Sequence, residues 1–263
     1  MSKVISIISG KGGVGKTTTS VNIATGLSLK GYKTVIIDFD MGLSNVDLVL
    51  GCSAKVKYNF CDVVNNNVTI KQALIQKEDI DNLSVLAASD TIDDCALTIQ
   101  SVEKIINELK KEFDFIICDA PAGIEQNALM SIYFADDIII VVNPEISSIR
   151  DSMRLMEFIK EKITRNVKLD ILITRYIPTL VEKGDMLSID DVKEILELDI
   201  IGVISESSNI IKSSNIGMPV INLGKSEVQQ CYEDLVLRIL GNKVEMRFVE
   251  ENTKDKIKRW LKI

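Results

Sequence analysis

Short apolar, β-branched runs alternate along this chain with stretches whose apolar residues recur at helical spacing. The runs at 3–9, 34–38, 83–87, 113–119, 138–142, 169–174 and 200–204 read as buried strands. Between the first two, Val21, Ile23, Ala24, Leu27 and Leu29 give a helix that stops at Gly31. Residues 97–109 predict an amphipathic helix, another starts near 147 and runs to about 162, and a last body helix spans 226–240, closed by Gly241 and Asn242. Shorter helices are predicted at 59–64 and 70–75. Residues 213–220 read as a turn into the last helix, the asparagines at 65–67 as a simple turn, and 42–51 as a flexible switch segment. Strands alternating with helices predict an α/β fold: a doubly wound, mostly parallel sheet with helices on both faces. That domain is assigned to 1–242, and a linker with a C-terminal amphipathic helix to 243–263.

The turn from the first strand into the first helix reads Gly10-Lys11-Gly12-Gly13-Val14-Gly15-Lys16-Thr17 and fits G-x-x-x-x-G-K-[ST]. Glycines let backbone N–H groups turn inward around a polyphosphate, and the helix start adds its positive dipole end. Lys16 reaches the β- and γ-phosphates, the Thr17 hydroxyl ligates Mg²⁺, and Thr18 stands beside it. Lys11 is a second lysine in the loop. Its side chain points away from the loop's own phosphates, which suits a charge delivered to a neighbouring subunit.

Acids close two of the strands at the edge where ligands bind in such sheets. Asp38 is placed for the Mg²⁺ shell and Asp40 to orient the attacking water. Asp119 ends the strand at 113–119 as the carboxylate that holds Mg²⁺, directly or through water. Gly123, four residues on, closes the stretch D-A-P-A-G. Thr174-Arg175-Tyr176 falls where a base-contacting loop belongs, and Arg175 is assigned to the nucleotide. The N-K-x-D signature of guanine binding is not at that strand end, so adenine, and hence ATP, is favoured.

Composition sharpens this. A chain of 263 residues that is 46% hydrophobic buries one large core. No apolar run approaches the length of a membrane span, and the N-terminus entering a strand directly predicts no signal peptide. The five cysteines lack C-x-x-C spacing and predict reduced thiols rather than disulfides or a zinc site. With no histidine, chemistry falls to carboxylates, lysines and a hard metal ion. The formal charge is −7, yet the last ten residues carry +4, so the rest stands at −11. An acidic body predicts no nucleic-acid partner.

The basic tail is different. Ile257, Trp260 and Leu261 share one face of a short helix, with Lys258, Arg259 and further lysines around them. Such a helix lies in the interface of an anionic membrane rather than across it. One tail binds weakly, and two on a dimer bind firmly.

K-G-G-V-G-K-T-T resembles the deviant Walker A loop of the MinD/ParA family of P-loop ATPases. The likeness extends to I-D-F-D-M-G-L at 37–43, C-D-A-P-A-G-I-E at 118–125, N-P-E at 143–145, T-R-Y at 174–176 and the amphipathic tail. Ser205-Glu206-Ser207 departs from the P-E-D usual in the base pocket. The resemblance implies a Mg²⁺-dependent ATP hydrolase that forms a homodimer with ATP, with Lys11 crossing to the partner's nucleotide and Gly123, the glycine of the family's D-x-P-x-G, letting the backbone meet the γ-phosphate. In the division-site branch it implies a cytoplasmic protein, peripheral on the inner face of the membrane, that recruits a MinC-type division inhibitor to position the septum. Asn45 and Asp151 would form the partner face, and release would answer to a MinE-type activator or a DivIVA-type polar anchor. A ParA-type partition ATPase and a flagellar-number regulator are the alternatives within the family. The nitrogenase iron protein, a more distant one, needs a second cluster cysteine that does not follow Asp119.

Overall fold

The computed structural model describes residues 2–43, 45–91, 95 and 97–250. In chain order it runs β1 (Lys3–Ser9), α1 (Lys16–Leu29), β2 (Thr34–Asp38), α2 (Val46–Val49), α3 (Phe60–Val64), α4 (Ile70–Ala73), β3 (Ile75–Gln76), β4 (Leu83–Leu86), α5 (Ile99–Leu109) and β5 (Phe115–Ala122). It continues with α6 (Gln126–Tyr133), β6 (Asp137–Val142), α7 (Ile146–Lys162), β7 (Lys168–Tyr176), α8 (Pro178–Lys183), α9 (Ile189–Leu196), β8 (Asp199–Ser205), α10 (Ser208–Ile216) and α11 (Glu227–Ile239). The strands form one sheet in the order β3-β4-β2-β5-β1-β6-β7-β8, parallel except for β3 at the edge. The doubly wound α/β expectation holds.

Strand alternation assigns the two cores. Val4 and Ile8 of β1 face a cluster with Phe60 of α3, Ile105 of α5, Ile132 of α6 and Leu155 of α7. Ile5 and Ile7 face the other side, with Val21 and Ala24 of α1 and Leu235 of α11. Continuous apolar runs are what a sheet covered on both faces requires. Helix α1 is buried on nearly every side; within it Ser28 donates to the Ala24 carbonyl at 2.9 Å.

Two sequence expectations are corrected and two others gain detail. Residues 42–51, read as a switch segment, hold the short helix α2. Residues 213–216 belong to α10 rather than a turn, and Gly217 caps that helix in the left-handed conformation. The cysteines are not all reduced: Cys61 of α3 and Cys95 are joined, with Cα atoms 5.3 Å apart and 34 residues between them in sequence. Only the fold brings them together, so no spacing motif announces the pair. The stretch assigned as a linker from 243 contacts α11 before Glu250. Arg238 Nε donates to the Val244 carbonyl at 2.9 Å and its Nη2 to Glu245 at 2.7 Å. Arg247 then grips the buried Asp234 through both carboxylate oxygens, at 2.7 and 2.6 Å. The tail residues Ile257, Lys258, Arg259, Trp260 and Leu261 lie outside the described residues. Among the described residues, no helix is long and apolar enough to cross a membrane.

Candidate functional site

The C-terminal ends of β1, β2, β5 and β7 open onto a cleft of about 790 Å³ lined by Gly12, Gly13, Val14, Gly15, Lys16 and Thr17. The cleft continues over Thr18, Asp40, Asn45, Arg175 and Glu206 to Ile210 and Tyr232. This is the sheet edge where ligands bind in a doubly wound fold. The loop's shape depends on glycine at two places. Gly15 caps α1 with φ +101°, a conformation L side chains rarely adopt, and a methyl group at Gly10 would collide with the Asp151 carbonyl of α7.

Neighbouring strands hold the loop from outside. The Thr174 hydroxyl at the end of β7 lies 2.7 Å from the Val14 carbonyl and 2.9 Å from Asn143 Oδ1. Arg175, itself at φ +56°, donates from Nη2 to the Gly13 carbonyl at 2.8 Å. Arg175 therefore lines the cleft and also fastens the loop.

Asp119 sits at the centre of the polar floor. It is 1% exposed, accepts from Thr17 Oγ1 at 2.7 Å and from Ser20 Oγ at 2.6 Å, and lies beside Asp38 in the β2–β5 register. Burial pushes its carboxyl up to about 6, against the pull of the two hydroxyls and Lys16. Asp38 is raised too, by burial first and by the charge of Asp119 second. Lys16 is almost wholly buried, and that burial lowers its ammonium below the usual lysine range while Asp119 and Asp40 oppose the shift. Asp40 is half-buried with its carboxyl raised, again chiefly by burial. Two buried carboxylates beside a threonine hydroxyl form a cluster of hard oxygen donors, which fits Mg²⁺.

Asp38 has a further task. Its Oδ1 accepts the Asp40 N–H at 2.9 Å, and its Oδ2 accepts those of Asn45 and Val46 at 3.2 and 3.3 Å. It thereby ties the 40–46 segment to the end of β2. The Gly123 N–H donates to the Ser9 carbonyl at 3.1 Å, and the residues lining the cleft there are Pro121, Ala122 and Glu125. Lys11 is turned out of the cleft, with Nζ 3.3 Å from Ser147 Oγ and 3.8 Å from Glu145 Oε2. The sequence did not single out Ser20, and it named Thr174 only as part of the T-R-Y stretch, not as a support of the phosphate loop. Ser20, one helical turn after Lys16, carried a legible signal; Thr174 contacts the loop only through the fold.

The comparisons with known proteins agree. An AAA domain model matches residues 2–172. The septum site-determining protein MinD of Neisseria meningitidis serogroup B is 49% identical over 98% of both chains. The chain belongs to the MinD family. Members of that family are septum site-determining ATPases with this P-loop fold. The MinC:MinD cell division protein complex of Aquifex aeolicus superposes with TM-score 0.87 at 34% identity, over 95% of this chain and 100% of that one. MinD of Pyrococcus horikoshii OT3, complexed with Mg-ADP, superposes with TM-score 0.82 at 25% identity, over 93% and 100%.

Proposed function

We propose that this MinD-family chain is an ATP-driven membrane switch: it dimerises with ATP, holds the inner membrane face through its tail, and delivers a MinC-type inhibitor of septum formation. Supporting the partner is the Aquifex relative in complex with MinC. The observation that carries the switch is the split between the two loop lysines. Lys16 is buried against Asp119 in the cleft, while Lys11 stands outside it beside Glu145.

The loop N–H groups and Lys16 bind the polyphosphate and hold its charge. Thr17, Asp119 and Asp38 would hold Mg²⁺, which supplies neutralisation of phosphate charge when bound. Asp40 orients the attacking water in line with the γ-phosphorus. Arg175 and the wall of Ile204, Ile210 and Ile211, with Glu206 and Ser207 among them, receive the adenine end. Lys11 leaves Glu145 and Ser147 and enters the partner subunit's site, so a complete charge set exists only in the dimer. Asn45 on the cleft rim and Asp151 of α7 belong to the face that receives MinC, with a MinE-type activator or a DivIVA-type anchor acting on the same assembly.

Dimerisation brings two basic amphipathic tails to one surface, which raises their joint affinity without a new contact. The test is co-sedimentation with anionic liposomes in ATP and in ADP, for the full chain and for one ending at Glu250. That end point keeps the Arg238 and Arg247 clamps intact. Binding in ATP alone, lost with the tail, is the expected result. A full chain left in the supernatant with both nucleotides would remove the membrane step.

A further inference from the structure

Three observations converge on the short loop that carries Asp40. Phe39 packs edge-on against Phe60 of α3, ring centroids 5.1 Å apart. Met41 Sδ lies 3.9 Å from Cys61 Sγ, on the residue after Phe60. The Gly42 N–H donates to the Ser89 carbonyl at 2.8 Å, on the stretch that leads to Cys95. The Cys61–Cys95 bond joins those two walls to each other. The loop is therefore gripped between α3 and the segment after β4, and one covalent link closes the grip.

The two sulfurs are not equivalent. Cys61 is buried, whereas Cys95 is partly open to solvent. The other three cysteines, 52, 118 and 231, are buried and unpaired. Burial raises each of those thiols, Cys52 to about 11, which makes them poor thiolates. Disulfides in cytoplasmic proteins are mostly transient and redox-sensing; that point rests on the cytoplasmic reading above.

We propose that Cys61 and Cys95 form a reversible oxidation site, written by low-molecular-weight disulfides, whose state sets how firmly the Asp40 loop is held. The Cys95 thiolate attacks one sulfur of glutathione disulfide and expels one glutathione thiolate. Cys61 then attacks the Cys95 sulfur of the mixed disulfide and expels the second. The protein pair loses two electrons and two protons, and one glutathione disulfide becomes two glutathione thiols. Reduction opens the link, loosens the wall after β4, and frees Met41 and Gly42. Positioning of the water by Asp40 weakens with them.

The full chain is equilibrated in reduced or in oxidised glutathione, and free thiols are alkylated. Peptide masses without reduction then locate the bond, and hydrogen exchange is read on peptides covering 39–43. The expected result is a linked 61–95 peptide only in the oxidised sample, with exchange at 39–43 faster on reduction by about fivefold or more. Cys95→Ser should exchange at the fast rate in both buffers, and Cys61→Ala should match it should the serine variant fold poorly. A 61–95 peptide that never forms, or equal exchange at 39–43 in the two states, overturns the proposal. Hydrolysis is measured on the same samples and should be about threefold slower when reduced. Loss of hydrolysis in both states would count against the ATPase mechanism and leave the exchange data to judge the redox site.

Discussion

The two walls of the cleft are held in different ways. The phosphate loop is fixed from several directions: Thr174 and Arg175 bond its carbonyls, Asn143 backs Thr174, and Gly10 rests on the α7 backbone. The opposing segment, 40–46, has one central fastening, the buried Asp38 carboxylate with its three N–H partners, and side packing from α3 and Ser89. A rigid cradle keeps phosphate affinity independent of state. A segment held by a buried carboxylate and by side packing, with its own acid at the cleft, is suited to respond to the γ-phosphate.

The sharpest way to separate the walls is Asp40→Ala. If positioning of water is the segment's task and binding the cradle's, hydrolysis falls about 10²-fold or more. ATP affinity and ATP-dependent dimerisation stay unchanged. Turnover kinetics and equilibrium nucleotide binding on one preparation read both. Normal turnover would take the role from Asp40, and lost affinity would erase the distinction between the walls.

A smaller effect concerns Asp119, which stands between them. Its folded value near 6 exceeds the roughly 4 of an unfolded aspartate, so the protonated acid favours the fold. That contribution is complete below about pH 4 and is lost as pH rises through about 6. At neutral pH the nucleotide- and metal-free chain therefore carries a destabilising buried charge. Asp119→Asn should stabilise that form by about 1–3 kcal/mol at pH 7.5, and by much less at pH 4.5. Thermal denaturation in EDTA at the two pH values measures it. An equal or inverted difference would contradict the assigned cause, and the variant should lose hydrolysis.

The same contrast marks what was legible in the sequence. Strands, the glycine loop and the acids at 38, 40 and 119 were readable because each is a local pattern: a β-branched run, a motif, an apolar strand ending in a carboxylate. Helices α6, α8, α9 and α10 were not read, being short or mixed in polarity and stabilised by what they pack on. Arg175 was read for its place in the chain, yet its bond to Gly13 exists only because β7 ends beside the loop. The Cys61–Cys95 link and the clamp of Arg247 on Asp234 are long-range in the same sense. Gly123 shows the converse: its motif was recognised, but its N–H is spent on Ser9.

In the proposed switch, Lys11 completes the site of a second subunit. Sedimentation velocity of the full chain and of Lys11→Ala, each in ATP and in ADP, reads this directly. The expected result is a dimer for the unaltered chain in ATP alone, and a nucleotide-bound monomer for Lys11→Ala in both. An ATP-dependent Lys11→Ala dimer of undiminished stability would contradict it.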